Sequence, residues 1–298
     1  MNSSSELRKN FETKNLVKVG GAFDALSAKL VEINQFDAIW AGSFAISATH
    51  ALPDASILTM TEFLHTSSSM VDACSIPVIA DCDTGFGGPS NVSHLVKKYE
   101  SSGIAAICIE DKIFPKQNSL LENGTQDLLP EKDFVAKIIA GKNAKQNDDF
   151  MIIARTEALI AGTGVKEALK RAQAYEIAGA DAILIHSKKN SPDEIFEFCD
   201  LWNGAIPLVV VPTTYPGVSN QELIEHKIKM VIYANQTLRA AYIAMSNLLS
   251  QLNKANSIKE INQPMTSMNE IFDIQKMFHM KNQEKNIEEK LKKLGYST

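Results

Sequence analysis

The sequence predicts an α/β fold, a (β/α)8 TIM-type barrel followed by a C-terminal helical arm, on three observations. Short apolar runs rich in β-branched residues alternate with segments of helical apolar spacing, the pattern of parallel strands joined by crossover helices. Eight such units fit within about 240 residues, a length at which a parallel sheet closes on itself. Charged and amide residues collect where the apolar runs end, most densely in Ile109-Glu110-Asp111-Lys112-Ile113-Phe114-Pro115-Lys116-Gln117-Asn118-Ser119, and loops held on a rigid scaffold are where catalytic groups concentrate. A doubly wound open sheet is the alternative reading of the same alternation.

In chain order, Val17 to Phe23 reads as a strand leaving into a loop, and Ala25 to Ile33 as the helix behind it. A second strand, Ala38 to Gly42, precedes a long connection from Ser43 to Met60. The third, Ile76 to Asp83, ends in Thr84-Gly85-Phe86-Gly87-Gly88-Pro89, and a helix from Asn91 to Ser101 leads to the strand from Ile104. Further strands follow at Phe150 to Arg155, Ala182 to His186, Leu208 to Val211 and Met230 to Tyr233. The helix Lys166 to Tyr175 has Gly179 as its C-terminal stop, because a residue there must turn left-handed. The barrel is expected over residues 1–255 and the arm over 256–298, with Ile271, Phe272, Ile274 and Met277 at helical spacing and a final stretch too charged to bury itself.

The 298 residues are 45% hydrophobic and 22% charged, which suits a large core and excludes disordered and fibrous classes. A net charge of -5 leaves no electrostatic footprint for nucleic acid or anionic lipid, so a small-molecule substrate is expected. No apolar run approaches the roughly 18 residues of a membrane span, and the polar start Met1-Asn2-Ser3-Ser4-Ser5-Glu6 is unlike a signal peptide. A cytoplasmic protein is expected. Cys74, Cys82, Cys108 and Cys199 lack CxxC or His-paired spacing and are expected to be reduced thiols.

Side chains alternate along a barrel strand, so Asp81 and Asp83 are expected on one face with Cys82 on the other. Glu110, Arg155 and His186 end the next three strands, at the face where barrel enzymes build their sites. Singly, each has a structural explanation as a cap, an ion-pair partner or a strand-end histidine. Jointly they point to chemistry. Three converging carboxylates cannot all stay ionised without a cation, and oxygen-only ligands suit Mg2+ or Mn2+. Asp81, Asp83 and Glu110 are therefore the expected metal ligands. Arg155 and His186 opposite them would face a doubly or triply charged anion, such as a carboxylate joined to a phosphate or phosphonate.

These residues also carry a resemblance. Asp81-Cys82-Asp83-Thr84-Gly85, Glu110 to Ser119 and Ala154-Arg155-Thr156-Glu157-Ala158 resemble the phosphoenolpyruvate mutase and phosphonopyruvate hydrolase branch of the isocitrate lyase superfamily. Gly21-Ala22, Ile39-Trp40, Pro53-Asp54-Ala55-Ser56-Ile57-Leu58, His186-Ser187-Lys188-Lys189 and Val211-Pro212-Thr213 match in the same order, over roughly residues 15–280. The resemblance implies a Mg2+-dependent enzyme acting on phosphonopyruvate or phosphoenolpyruvate. It places the metal on Asp83, partly through waters with Asp54, Asp81 and Glu110, and the phosphoryl group against Arg155, His186, Asn118 and Ser119. Lys116 falls in the gating loop, and Trp40, with the backbone amides at Gly42 and Ser43, falls where the pyruvyl carboxylate binds. It also implies a C-terminal helix swapped between subunits of a homodimer or homotetramer.

Two departures qualify the match. After Trp40 the chain has Ala41-Gly42-Ser43, where mutases have glycine-serine-glycine. Pro53 to Met60 resembles the hydrolase, whereas Lys116 to Ser119 resembles the mutase. Because the lid touches the transferred group, mutase activity is the leading expectation and hydrolase activity the alternative. A carbon-carbon lyase would need a lid cysteine that is missing here, and the intact polar set stands against an inactive scaffold.

Overall fold

The structure is a computed structural model that describes residues 2–296; Met1, Ser297 and Thr298, which the expected domain bounds include, lie outside the described residues. Its strands are β1 (Val17–Ala22), β2 (Ala38–Ala41), β3 (Val78–Asp81), β4 (Ala106–Glu110), β5 (Met151–Thr156), β6 (Ala182–Ile185), β7 (Leu208–Val210) and β8 (Ile228–Tyr233). All neighbours are parallel, and β8 pairs back onto β1 with Val19 opposite Ile232, closing the barrel. The expected (β/α)8 fold is the one observed.

Alternation along the strands separates two apolar layers. Val19, Trp40, Ile79, Cys108, Ile153, Leu184 and Ile232 fill the barrel interior. Their strand neighbours, among them Ile39, Ala80, Ile109, Ala154 and Ile185, join the layer under the outer helices. Stepping two residues from the interior set reaches the polar strand ends: Ile79 to Asp81, Cys108 to Glu110, Ile153 to Arg155, Leu184 to His186. The core and the polar mouth are thus one continuous register.

The helices are α1 (Ser3–Thr13), α2 (Ala25–Ile33), α3 (Ser43–Thr49), α4 (Met60–Ala73), α5 (Pro89–Ser101), α6 (Glu131–Ala144), α7 (Val165–Ile177), α8 (Asp193–Leu201), α9 (Asn220–Glu225), α10 (Gln236–Leu252), α11 (Met268–Ile274) and α12 (Met277–Lys293). Two were not anticipated. Helix α1, capped by the Asn2 side chain, buries Leu7 and Phe11 in the barrel-interior cluster, one turn apart as a helix requires. Helix α3 occupies the start of the long connection from Ser43 to Met60. The third strand also stops earlier than expected, at Asp81, because Asp83 is left-handed with φ of +49°.

The chain forms two compact units that divide after Ala240, inside α10. In the second unit, the apolar positions expected in one helix are divided between α11 and α12 by left-handed Lys276. Phe272 and Phe278 meet edge to face across that break, ring centres 6.3 Å apart.

Helix α2 is tied to the turn before β3 by Glu32, which accepts from the backbone N–H and hydroxyl of Ser75, both at 2.6 Å, and pairs with Lys29. Burial alone would raise the Glu32 pKa, but the bonds from Lys29 and Ser75 outweigh it and hold it at about 2. A carboxyl depressed below its usual 4.5 contributes stability that is present above that value and lost as pH falls through 2. Glu32→Gln should therefore cost about 1–3 kcal/mol at pH 7 and much less near pH 2.5. Denaturant unfolding of both proteins at the two pH values measures the difference.

Candidate active site

The polar strand ends meet beneath the connection between β4 and α6. Within it, Lys112 and Leu128 form an antiparallel bridge, and the Ile113 N–H donates to the Asp127 carbonyl at 3.0 Å. The segment between them, with a cis Phe114–Pro115 peptide, folds back over the barrel mouth. It contains Lys116, which the resemblance places in a gating loop or lid, and returns along Asp127.

On one side of the mouth stands an acidic cluster. Asp81 accepts from the Ser43 hydroxyl at 3.0 Å and from the Asp83 N–H at 3.3 Å. The Lys116 ammonium lies 2.8 Å from Asp83 and 3.1 Å from Asp54, and donates to the Ser43 hydroxyl at 3.3 Å. Asn118 donates from Nδ2 to Asp54 Oδ2 at 2.7 Å. Two lid residues therefore dock on Asp54. Burial pushes the Asp83 carboxyl up to about 6 against the pull of Lys116, and pushes Glu110 up to about 7 against Lys116 and Arg155. Burial opposes the charge on Lys116, but the surrounding carboxylates outweigh it and hold that pKa well above its usual value.

On the other side, Arg155 is held by carboxylates, its Nε 2.5 Å from Glu157 and 3.4 Å from Glu110. Its Nη2 lies 3.0 Å from the Ser119 hydroxyl and 2.7 Å from His186 Nδ1. A guanidinium can only donate, so Nδ1 accepts and the imidazole proton is assigned to Nε2, despite the 3.1 Å contact of Nδ1 with Glu157. Burial and then Arg155 lower the His186 pKa, in keeping with a neutral ring. Ser119 accepts from Lys112 Nζ at 2.6 Å and from Arg155, and donates to Glu157 at 2.5 Å. Its hydrogen-bonding capacity is filled.

The floor depends on two glycines. A Cβ on Gly42 would come within 2.9 Å of the Trp40 ring, so only glycine lets the chain turn from β2 into α3 against that ring. Gly85, at φ of +85°, would place a Cβ 2.6 Å from Val92. That loop is braced by Lys137 of α6, which donates to the Thr84 carbonyl at 2.8 Å and whose pKa burial pushes down to about 8.

Each expected site residue has a definite place. Asp54, Asp81, Asp83, Ser43 and Lys116 form one cluster, with Asn118 joined to it through Asp54; Arg155, His186, Ser119 and Glu110 form the other. Trp40 and Gly42 pack together beside them. Among the described residues no three His, Cys, Asp or Glu side chains converge closely enough to hold a metal as they stand. The donor set nevertheless suits a hard cation: Asp54 Oδ1 and the carboxylate oxygens of Asp83 and Glu110 are buried and are met by the cationic side chains of Lys116, Arg155 and Lys112. Lys116 supplies the positive charge between Asp54 and Asp83.

Glu157 was not anticipated as a site residue. Fully buried, it contacts Arg155, His186, Ser119 and, at 3.3 Å, Lys112. Burial would raise its pKa, yet Arg155, with Lys112, holds it well below the usual carboxylate range. Its position two residues beyond Arg155, on the same side of the strand, is the signal that could have found it.

Fold and site together define a (β/α)8-barrel enzyme with its polar centre at the C-terminal ends of the strands. The family model for phosphoenolpyruvate phosphomutase matches residues 7–253. A phosphonopyruvate hydrolase from Variovorax sp. (strain Pal2) is 43% identical over 92% of this chain and 95% of its own. The crystal structure of a phosphoenolpyruvate phosphomutase from Streptomyces platensis subsp. rosaceus superposes with a TM-score of 0.93 at 45% identity, over 95% of this chain and 99% of that one. A phosphonopyruvate hydrolase solved with oxalate and Mg2+ superposes with a TM-score of 0.89 at 41% identity, over 95% and 98%. The chain belongs to the phosphoenolpyruvate phosphomutase family, within the superfamily that also contains isocitrate lyase.

Proposed function

We propose that this protein interconverts phosphoenolpyruvate and phosphonopyruvate by Mg2+-dependent intramolecular phosphoryl transfer. The observation that carries this reading is the closed lid: Lys116, Asn118 and Ser119 all dock on residues of the floor, and Asp83, Glu110 and Glu157 are almost entirely shielded from water. A mutase needs such a seal, because water entering mid-reaction would capture the phosphoryl group as phosphate.

In this reading Asp81, Asp83 and Glu110, with Asp54, hold Mg2+, which supplies positive charge against the developing anion. The carboxylate of the substrate lies by Trp40 and the turn at Gly42 and Ser43. Breaking the P–C bond of phosphonopyruvate leaves an enolate and a metaphosphate-like group, and the new bond forms from phosphorus to the enolate oxygen. Arg155 and the His186 Nε2–H retain the phosphoryl oxygens during that exchange, while the Ser119 hydroxyl, its one proton given to Glu157, holds the guanidinium in place. Glu157 fixes the guanidinium from behind, so little reorganisation is needed when charge develops. The same reading has a cytoplasmic homo-oligomer; among the described residues no helix is long and apolar enough to cross a membrane.

Hydrolysis to pyruvate and phosphate is the second reading, favoured by the 43% identity to the hydrolase relative. Asn118 separates the two. Its bond to Asp54 latches the lid, so Asn118→Ala should slow phosphoenolpyruvate formation by about tenfold, equal to about 1.4 kcal/mol, and increase the fraction of phosphate released. Phosphorus NMR of phosphonopyruvate turnover with Mg2+ measures both products. Wild-type protein releasing mainly phosphate would transfer the assignment to the hydrolase, and an unimpaired Asn118→Ala would remove the latch from the mechanism.

A further inference from the structure

Directly behind the site lies a second buried polar cluster, which meets Arg155 and Glu157 through their backbone groups. Asp111 sits between Glu110 and Lys112 but faces the opposite way, toward α7. One carboxylate oxygen accepts the Glu157 N–H at 2.8 Å; the other accepts Tyr175 O–H at 2.6 Å and Arg171 Nη1 at 3.2 Å. Arg171 also donates to the Leu129 carbonyl at 3.0 Å, while the Leu129 N–H donates to the Asp111 carbonyl at 2.8 Å. The Asp111 N–H in turn reaches the Arg155 carbonyl at 3.2 Å. Both backbone polar groups of Leu129, the residue after the Lys112–Leu128 bridge, are therefore held by this one cluster.

We infer that Arg171 and Tyr175 are positioning residues which act through Asp111 to set the stem of the lid and the end of β5 together. The stem at residues 112, 113 and 127–129 is where the lid must pivot, and the end of β5 carries Arg155 and Glu157. Because Ser119 of the lid is bonded to both of those side chains, any looseness between stem and strand moves Ser119 away from them. Satisfied buried networks hold a single geometry, and removing one member leaves an unpaired buried group. The inference rests on the phosphoryl-transfer reading only for the purpose of the lid, not for the clamp itself.

Hydrogen exchange on the full-length protein tests the clamp without substrate or metal. Tyr175→Phe removes one hydroxyl and no ring volume. The Ile113 and Leu129 amides should then exchange at least about tenfold faster, while amides in β1 and β2 keep their protection. Tyr233→Phe is the matched control, because it removes a hydroxyl bonded to Asn220 at 3.1 Å, away from the stem. Equal exchange at Ile113 and Leu129 in the two variants would overturn the inference. Arg171→Lys, which keeps the charge but not the forked reach, should also loosen the Leu129 amide; unchanged protection there would equally overturn it. A shift of product from phosphoenolpyruvate toward phosphate in Tyr175→Phe is the expected catalytic consequence. Should the wild type prove a hydrolase, the exchange result still decides the clamp.

Discussion

Arg155→Lys is expected to lower kcat/KM for phosphonopyruvate by about a hundred- to a thousandfold, with the fold retained. The lysine preserves one positive charge beside Glu157 and Glu110, so neither carboxylate is left uncompensated in the interior, a loss that would cost about 3–5 kcal/mol. What disappears is the fork. The guanidinium bonds Glu157 through Nε while Nη2 reaches both Ser119 and His186; a single ammonium cannot hold all three in one plane. The lysine variant also removes the donor to His186 Nδ1, which frees the ring to change tautomer. Steady-state kinetics with a melting curve check both halves. A variant within about threefold of wild type would show that charge alone, without the fork, serves the phosphoryl group.

Asp83→Ala is expected to abolish turnover, by at least about a thousandfold at saturating Mg2+, and to leave the melting temperature equal or higher. Both Asp83 oxygens are buried with the Lys116 ammonium, 2.8 Å away, as the neighbouring cation, and burial still holds the carboxyl up at about 6. An acid whose folded pKa lies above its unfolded value makes folding less favourable as pH rises between the two values, so at neutral pH this carboxylate works against stability. Lys116 keeps Asp54 as a partner at 3.1 Å when Asp83 is removed. Activity against Mg2+ concentration, calorimetric Mg2+ binding and thermal unfolding measure the three effects. Substantial activity of Asp83→Ala, or a wild type indifferent to chelator, would remove Asp83 from metal binding.

Lys116 links these two sides of the site. Its ammonium occupies the position between Asp54 and Asp83, the same carboxylates proposed to serve the metal. Lid closure and cation binding therefore draw on one set of negative charges.

The placing of the strands, and of the polar residues at their ends, follows from local pattern alone. The interior residues Ile79, Cys108, Ile153 and Leu184 lie two positions before Asp81, Glu110, Arg155 and His186, and period-two alternation carries each of those side chains to the same mouth of the barrel. That relation is local, so it can be read without knowing any long-range contact. Helix α1 was missed because Leu7 and Phe11 are two apolar residues in a polar segment, and their burial depends on the open end of a barrel that forms from other parts of the chain. The left-handed turn at Asp83 was missed for a related reason: the loop it begins is supported by Gly85 and by Lys137 from α6, so its shape is decided by packing rather than by its own propensities.

How the lid closes, and what stands behind it, depends on contacts between distant segments. The bonds from Lys116 and Asn118 to Asp54, and from Ser119 to Arg155 and Glu157, join segments distant in sequence. So do those from Arg171 and Tyr175 to Asp111. Periodicity reports which face a side chain takes within its own strand or helix. It cannot report which other segment that face meets, because closing such loops depends on the free energy of the whole fold.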